Sequence, residues 1–366
     1  MGYKIPQMIP YIGNEELRNI KIAIKNKWIT EGPFSEQFLE LIKSKTGAKY
    51  AVLANNGTLA LFMSLLALDI KEGDEVIVPN FTFIASATSV AFVGAKPVFV
   101  DVDINTGNID ASLIEKAITK NTKAIMPVHV YGQSADMDAI VEIARKYDLK
   151  IIEDAAQGFG VYYKSKHTGT IGDIGTISFF ADKTITSGEG AVILTNNEEL
   201  FLKLKLLRNQ GRPNSGTFIH PFLGMNFRMT DLQCAVGVAQ IKKFDKIVDL
   251  KNKNLALYLK LLENVDEIQS LKKYEYTNLI PFRANFKVKD KDLLFQYLEN
   301  EGIQTRSFFY PMNKQPCFSK LNLTNNDFPV SDKLYETGCS LPIFADLKKR
   351  QIEFICEKIK NFYGKK

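Results

Sequence analysis

The chain has 366 residues, 45% of them hydrophobic, and a formal net charge of +6, as expected for a packed globular protein. The 47 basic and 41 acidic residues are interspersed, so nucleic-acid binding is not expected. Four widely spaced cysteines and only three histidines do not favour a metal site. No apolar run approaches bilayer length and the N-terminus lacks a signal-peptide core, so we expect a cytoplasmic protein that does not bind a membrane.

From about residue 48 to residue 195, short apolar runs alternate with segments of helical periodicity. The strand-like runs are 75–78, 96–101, 123–130, 150–153, 176–180 and 191–195. One helical face, at 59–67, precedes the first of these runs. Two more, at 113–118 and 137–144, follow the runs at 96–101 and 123–130. This alternation predicts a mostly parallel sheet with helices on both faces. Ligands of such sheets bind beyond the carboxyl ends of the strands.

The C-terminal third has a different pattern. A long helical region is predicted from Met229 to about residue 265, followed by a strand at 284–288 and a helix near 293–298. The last predicted helix carries Ile352, Ile355, Cys356 and Ile359 on one face. A chain of this length exceeds the usual size of one hydrophobic core, so we predict a large domain at residues 1–240 and a smaller α/β domain at residues 241–366.

Lys183 stands between a predicted strand and a turn that contains Gly188 and Gly190. Most lysines are solvated surface charges, but this one has relevant companions elsewhere in the chain. Asp154 ends a buried-strand pattern, and Gly57 and Thr58 open a helix. A lysine can form a reversible imine with a carbonyl cofactor, and a helix N-terminus favours a phosphate. These are the parts that a pyridoxal phosphate enzyme needs.

Other residues fit the same cofactor. Asp154 can hold the pyridinium nitrogen protonated, although a helix cap or a surface salt bridge is the alternative interpretation. Ser178 can add a hydroxyl group to the phosphate site. Gln157 either lies near the phenolic oxygen of the cofactor or caps a turn. Phe83 can stack on a flat ring, although a phenylalanine is more often part of a core.

Several motifs together carry a resemblance that covers nearly the whole chain. They are WITEGP at 28–33, NNGT at 55–58, GDEVIVP at 73–79, PVHVYG at 127–132, EDAAQ at 153–157, SF at 178–179 with Lys183, GEG at 188–190 and GMNFR at 224–228. This set resembles the DegT/DnrJ/EryC1/StrS family of pyridoxal phosphate-dependent aminotransferases. Most members of that family act on keto-sugars carried on a nucleotide.

The resemblance implies an α/β protein with the type I aminotransferase fold, in which a large, mostly parallel, seven-stranded sheet domain precedes a smaller C-terminal α/β domain. It also implies a homodimer with shared active sites, in which Asn226 reaches the phosphate of the partner's cofactor. Phe83 should lie over the pyridine ring and Asp154 should pair with the ring nitrogen. His129 and Arg228 are expected to be neighbours of the site.

The implied reaction is a ping-pong transfer of an amino group. L-Glutamate would be the donor, the keto group of a nucleotide-linked 4-keto-6-deoxy sugar would be the acceptor, and Lys183 would form the Schiff base with the cofactor. The alternatives are an aminotransferase for a smaller phosphorylated ketone such as dihydroxyacetone phosphate, a pyridoxal phosphate-dependent sugar dehydratase, and a non-catalytic regulator on the same fold. Relatives that act as dehydratases replace the lysine with histidine, so Lys183 argues against the dehydratase.

The chain departs from the family pattern at several positions. Ala191 replaces the last glycine of a Gly-Glu-Gly-Gly motif, a change without an expected catalytic consequence. Asp182 precedes the lysine where relatives often carry asparagine, and a second carboxylate there can alter the proton affinity of the amine. The segments 280–283 and 305–313 differ from those of the sugar-acting members, and their Arg283 and Arg306 can face a phosphate instead.

Overall fold

The computed structural model describes residues 2–214, 216–321 and 327–365. The helices are α1 (Asn14–Lys25), α2 (Pro33–Thr46), α3 (Gly57–Ala67), α4 (Ala85–Phe92), α5 (Ile114–Ala117), α6 (Met137–Tyr147), α7 (Glu198–Arg208), α8 (Asp231–Lys242), α9 (Phe244–Leu262), α10 (Lys291–Asn300), α11 (Pro329–Thr337) and α12 (Lys349–Phe362). The strands are β1 (Tyr50–Ala54), β2 (Glu75–Pro79), β3 (Lys96–Val100), β4 (Thr122–Ile125), β5 (Lys150–Asp154), β6 (Tyr162–Tyr163), β7 (Lys166–His167), β8 (Ile174–Ser178), β9 (Ala191–Thr195), β10 (Ile268–Ser270), β11 (Ala284–Val288), β12 (Arg306–Ser307) and β13 (Gly338–Leu341).

The largest sheet within the described residues has seven strands in the order β1-β9-β8-β5-β4-β2-β3. Five neighbouring strands, in the order β8-β5-β4-β2-β3, pair in parallel. Strand β9 runs antiparallel to both of its neighbours, β1 and β8. Every residue of β2, β8 and β9 is buried, which explains the apolar runs of β2 and β9 in the sequence. The predicted mostly parallel seven-stranded sheet is therefore confirmed.

The strand predicted at 176–180 is β8, which begins and ends two residues earlier. Two other predicted elements differ more from the structure. The strand predicted at 123–130 ends at Ile125, because Pro127 follows and has no backbone N–H to continue the ladder. Beyond Ile125, the Met126 N–H still bonds to the Ile77 carbonyl oxygen at 2.8 Å, and Val128 forms an isolated bridge with Asp154. The long helix predicted after Met229 is two helices, α8 and α9, which meet at Lys243.

A second sheet, antiparallel throughout, has the order β10-β11-β13-β12. Its buried core includes Tyr258 of α9, Phe286 of β11 and Ile355 of α12. The N-terminal segment joins the same core, since Ile5 forms a backbone bridge with Ile303. Helix α12 buries the predicted face of Ile352, Ile355, Cys356 and Ile359.

None of the helices in the described part of the chain combines the length and the apolar composition that a membrane crossing requires. The division at residue 240 stays a prediction.

Candidate active site

A pocket of about 720 Å³ lies at the carboxyl ends of β5 and β8. This size is in the range of small-molecule sites. Its wall also receives the first residues of α3 and part of the second sheet. The predicted site residues that line it are Gly57, Thr58, Phe83, Asp154, Gln157, Ser178, Lys183, Arg283 and Arg306.

Lys183 lies just beyond β8, with a side chain that is 16% exposed. Its Nζ atom is 3.9 Å from Asp182 Oδ1 and 4.6 Å from the centre of the Phe282 ring. Burial lowers the pKa of the Lys183 amine below its ordinary value, although the charges of Asp182 and Asp154 partly oppose this effect. The amine therefore loses its proton more easily than that of a surface lysine, which is what a nucleophilic lysine requires.

Asp154 is the last residue of β5 and is 4% exposed. Its Oδ2 atom accepts a hydrogen bond of 2.7 Å from the Ser86 hydroxyl, and its Oδ1 atom accepts one of 3.1 Å from the Ala156 N–H. The Ser86 hydroxyl also lies 3.0 Å from the Thr82 hydroxyl. These contacts fix the orientation of a carboxylate on the pocket wall.

Ser86 was missed by the sequence analysis. It lies three residues after Phe83, close to the start of α4, where a serine has no distinctive signal. Only the packing of α4 against the end of β5 reveals that its hydroxyl group contacts Asp154.

Glu153 points to the other face of β5, where it is fully buried. Its carboxylate accepts hydrogen bonds of 2.7 Å from the N–H groups of Gly169, Ile171 and Gly172. His129 Nε2 lies 2.9 Å from it and donates, because His129 Nδ1 accepts from a backbone N–H. Burial alone would raise the pKa of Glu153, but the His129 and backbone donors outweigh it and lower the pKa.

His129 was expected to be a neighbour of the site, and the structure places its side chain against Glu153. The imidazole of His129 is fully buried, is engaged with Glu153 and is not part of the pocket wall. Its role is to hold the strand end on which Asp154 stands, and the backbone N–H of His129 bonds to the Asp154 carbonyl oxygen at 3.0 Å.

The N-terminus of α3 forms the other end of the pocket. Asn56 caps the helix, since its side chain accepts a 3.0 Å hydrogen bond from the Leu59 N–H. A Cβ atom at Gly57 would lie 3.1 Å from Ser178 Cβ and 3.3 Å from its hydroxyl oxygen, so glycine permits this close approach. The first N–H groups of a helix, together with a nearby hydroxyl group, are a natural anion site.

Aromatic rings line part of the pocket wall. Phe83 is 57% exposed, and its ring centre lies 6.4 Å from that of Phe309 in an edge-on arrangement. The ring of Tyr131 stacks on that of Phe309, with centres 5.2 Å apart, and burial raises the pKa of the Tyr131 phenol. Gln157 Oε1 accepts a hydrogen bond of 2.8 Å from the Tyr131 N–H, which fixes the amide at the pocket wall.

Tyr131 was also missed, although the PVHVYG motif that contains it was noted. Its positive φ of 57° is uncommon for a bulky residue and marks a backbone that the surroundings hold in place.

Two arginines come from the second half of the chain. Arg283 donates to Asp182 Oδ2 at 2.7 Å and to Gln7 Oε1 at 2.5 Å. Arg306 belongs to β12 and is exposed at the pocket wall. Both side chains line the pocket that contains Lys183, and the guanidinium group of Arg283 is already engaged by Asp182 and Gln7.

Asn226 and Arg228 lie outside this pocket. Arg228 donates to Asn209 Oδ1 at 2.7 Å, lies 3.5 Å from Glu31 and lines a separate pocket of about 430 Å³ beside Trp28. Asn226 is exposed, and its Oδ1 atom accepts from the Arg228 N–H at 3.2 Å. Within one chain, neither side chain reaches Lys183.

The fold and the site define a class of protein. A mixed seven-stranded sheet, a second antiparallel sheet and a lysine pocket at the strand ends are the features of the type I aminotransferase fold. The structure superimposes with a TM-score of 0.93 on DesV from S. venezuelae, solved in complex with a ketimine intermediate, over 99% of each chain at 29% identity.

The chain belongs to the DegT/DnrJ/EryC1/StrS aminotransferase family, whose model matches residues 10–360. It is 36% identical over 364 residues to a GDP-perosamine synthase of Escherichia coli O157:H7, covering 99% of both proteins. It is also 36% identical over 348 residues to a dTDP-3-amino-3,6-dideoxy-alpha-D-galactopyranose transaminase of Aneurinibacillus thermoaerophilus, covering 93% of both. The protein is therefore an aminotransferase.

Proposed function

We propose that the protein is a pyridoxal phosphate-dependent enzyme that moves an amino group from L-glutamate to the keto group of a nucleotide-linked 4-keto-6-deoxy sugar. The observation that carries this proposal is the presence of Lys183, Asp154 and the N-terminus of α3 around one pocket. The names of the two sequence relatives support the substrate class, since one refers to a GDP-linked and the other to a dTDP-linked amino sugar.

The residues present fit pyridoxal phosphate. The Lys183 amine would hold its carbonyl carbon, and the buried Asp154 carboxylate would pair with its ring nitrogen. Gly57, Thr58 and Ser178 would hold its phosphate at the N-terminus of α3. When bound, the cofactor supplies the electrophilic carbonyl and the electron sink that transamination requires.

The side chains of the protein would then divide the remaining work. Lys183, whose pKa is lowered by burial, would accept and return the proton that moves during the reaction. Asp154, held by Ser86 and the Ala156 N–H, would keep a negative charge at the far end of the pocket. Phe83 would cover a flat ring and keep water from it.

We also propose that the enzyme is a homodimer with shared active sites. The segment before Asn226 carries exposed apolar side chains, including Phe218 at 89% and Leu223 at 96% exposure. Apolar surface of this kind marks protein contacts. In the dimer, Asn226 would reach the cofactor phosphate of the partner subunit and Arg228 would lie near the shared site.

A smaller phosphorylated ketone, such as dihydroxyacetone phosphate, is the second candidate substrate. The observation that favours it is the pair Arg283 and Arg306 on the pocket wall, which suits a phosphate. A sugar dehydratase and a non-catalytic regulator are less well supported, because the chain retains Lys183 in a pocket with Asp154 and Ser178.

The test begins with purified protein loaded with pyridoxal phosphate. We expect a visible absorbance band, and borohydride reduction should attach the cofactor to the peptide that contains Lys183, as read by mass spectrometry. Lys183→Ala should abolish this attachment and turnover while leaving the thermal melting curve intact. Lys203→Ala, at an exposed ion pair with Asp69, is the matched control and should behave as wild type.

Turnover with glutamate should then be measured on GDP- and dTDP-linked 4-keto-6-deoxy sugars and on dihydroxyacetone phosphate. Activity on a nucleotide sugar is expected. Activity on the triose phosphate alone would establish the second candidate, and ammonia release without glutamate would establish a dehydratase. A protein that stays colourless with added cofactor would exclude the whole proposal.

A further inference from the structure

The residue before Lys183 is a carboxylate shared by two cations. Asp182 Oδ2 accepts a hydrogen bond of 2.7 Å from Arg283, and Asp182 Oδ1 lies 3.9 Å from Lys183 Nζ. Within the described residues, the buried Oδ1 atom has no hydrogen-bond partner. The oxygen that faces the amine is therefore free to interact with it, while the other is tied to arginine.

Arg283 is itself held from several sides. Its second Nη atom donates to Gln7 Oε1 at 2.5 Å, and its guanidinium carbon lies 4.7 Å from the centre of the Phe282 ring. The Lys183 amine lies 4.6 Å from the centre of the same ring. The ring, the arginine and Asp182 thus form one assembly that fixes where the amine stands.

A second buried lysine responds to the same pair of charges. Lys251 of α9 donates from its Nζ atom to the Phe282 carbonyl oxygen at 3.4 Å. Burial and the nearby Arg283 lower the pKa of Lys251 to about 7, and Asp182 opposes them. Lys251 is therefore an independent reporter of the Asp182–Arg283 pair.

We propose that Asp182, held by Arg283, is a positioning residue that aims the Lys183 amine and sets how readily it carries a proton. The proposal rests on the proposed function, in which Lys183 is the reactive amine. The charged groups that face the amine are Asp182, Asp154 on β5 and Arg283. Asp182 and Asp154 favour the protonated amine, whereas Arg283 disfavours it.

The charge of Asp182 is what matters for this role. Asparagine has the same shape and can still accept a hydrogen bond from Arg283, but it carries no charge toward the amine. Removing Arg283 acts in the opposite direction, because it takes away a positive charge and frees the carboxylate to pair with Lys183. The two single changes should therefore shift the pKa of the Lys183 amine in opposite directions.

The test measures the proton affinity of individual lysines in the full-length protein freed of cofactor. Competitive labelling with acetic anhydride over a pH series, followed by mass spectrometry of each peptide, gives a pH midpoint for every lysine amine. The variants are Asp182→Asn, Arg283→Gln and the double variant. Asp69→Asn, which removes an exposed carboxylate paired with Lys203, is the matched control.

We expect the Lys183 midpoint to be lowest in Asp182→Asn, higher in the double variant, higher again in wild type and highest in Arg283→Gln. The order follows because Asp182 has a larger influence than Arg283 on this amine. Lys251 should shift in the same direction as Lys183 in each single variant. In the Asp182 and Arg283 variants, exposed lysines should keep their midpoints. In the Asp69→Asn control, every lysine except Lys203 should keep its midpoint.

An unchanged Lys183 midpoint in Asp182→Asn, with a native melting curve, would overturn the proposal. If Arg283→Gln does not fold, Arg283→Lys replaces it, because lysine keeps the positive charge. The Lys183 midpoint in Arg283→Lys should be near that of wild type. A Lys183 midpoint as high as that of a surface lysine would contradict the role of the Asp182–Arg283 pair. The labelling result does not depend on cofactor attachment. Borohydride trapping on a residue other than Lys183 would instead refute the proposed function.

Discussion

Two adjacent carboxylates at the end of β5 show how similar residues acquire different roles. Glu153 and Asp154 point to opposite faces of the strand, as neighbouring residues of a strand must. Glu153 receives four hydrogen bonds, three from backbone N–H groups and one from His129. Asp154 receives two and lies on the pocket wall.

A carboxylate has about four positions at which it can accept hydrogen bonds. Those of Glu153 are all in use, so it can only hold together the loop at 169–172 and the imidazole. Asp154 accepts only two hydrogen bonds within the chain, so its carboxylate can accept more from a ligand in the pocket. The number of donors supplied by the fold therefore separates the structural acid from the one available to a ligand.

The largest effect should come from neutralising the carboxylate on the pocket wall. In Asp154→Asn we expect turnover to fall by several orders of magnitude, because the negative charge opposite Lys183 is lost. The free energy of unfolding should change little, since the amide oxygen can still accept from the Ala156 N–H while the amide nitrogen donates to the Ser86 hydroxyl oxygen. Steady-state kinetics and urea unfolding measure both; near-wild-type turnover would show that Asp154 is not the functional acid.

Glu153→Gln should give the reverse pattern. The amide cannot accept on its nitrogen, so at least one buried backbone N–H loses its partner, and we expect the free energy of unfolding to drop by about 3 kcal/mol. The folded protein should still bind the cofactor at Lys183. Urea unfolding tests the first statement, and cofactor absorbance at low temperature tests the second. A variant of unchanged stability would contradict the distinction drawn between the two acids.

A smaller, pH-dependent effect should come from His167, which stands near Glu153. Its Nε2 atom accepts from the Gly160 N–H at 2.7 Å, so the imidazole is neutral, and burial lowers its pKa to about 4. Since the ordinary value is about 6.5, the unfolded chain binds the proton more tightly between these two pH values. The contribution of the neutral His167 to the free energy of unfolding is therefore fully present above pH 6.5 and is lost as the pH falls toward 4.

The wild type should therefore lose about 3 kcal/mol more than His167→Gln between pH 6.5 and pH 4. Urea unfolding at several pH values measures the two slopes. The two proteins share every other titrating group, so any difference between their slopes comes from His167. If the free energies of unfolding of both proteins fall in parallel with pH, His167 carries its proton in the folded state, and the burial argument is wrong.

The sequence was most informative where a local pattern decides the structure. The boundaries of β9 were predicted to the residue, because a strand buried on both faces must be a continuous apolar run. The early end of β4 was not predicted, because the apolar pattern continues past Pro127, whose missing N–H interrupts the ladder. Periodicity alone does not report such an interruption.

The site was predictable in its parts but not in its connections. Lys183, Asp154 and the α3 N-terminus follow from strand and helix ends, which topology brings to one edge of the sheet. The contacts of Ser86 with Asp154 and of Arg283 with Asp182 join residues 68 and 101 positions apart, and no local signal encodes them. The contact of His129 with Glu153 was not predicted either, because a motif does not reveal toward which side a ring points.

The contact between Gln7 and Arg283 has a consequence for biosynthesis. The segment that carries Gln7 is made before the one that carries Arg283, 276 positions later, so Gln7 can form this contact only after Arg283 has been made. Ile5 must wait for Ile303 in the same way. The growing polypeptide therefore cannot complete the wall around Lys183 until the segment that carries Arg283 has emerged, so Lys183 emerges before its pocket is complete.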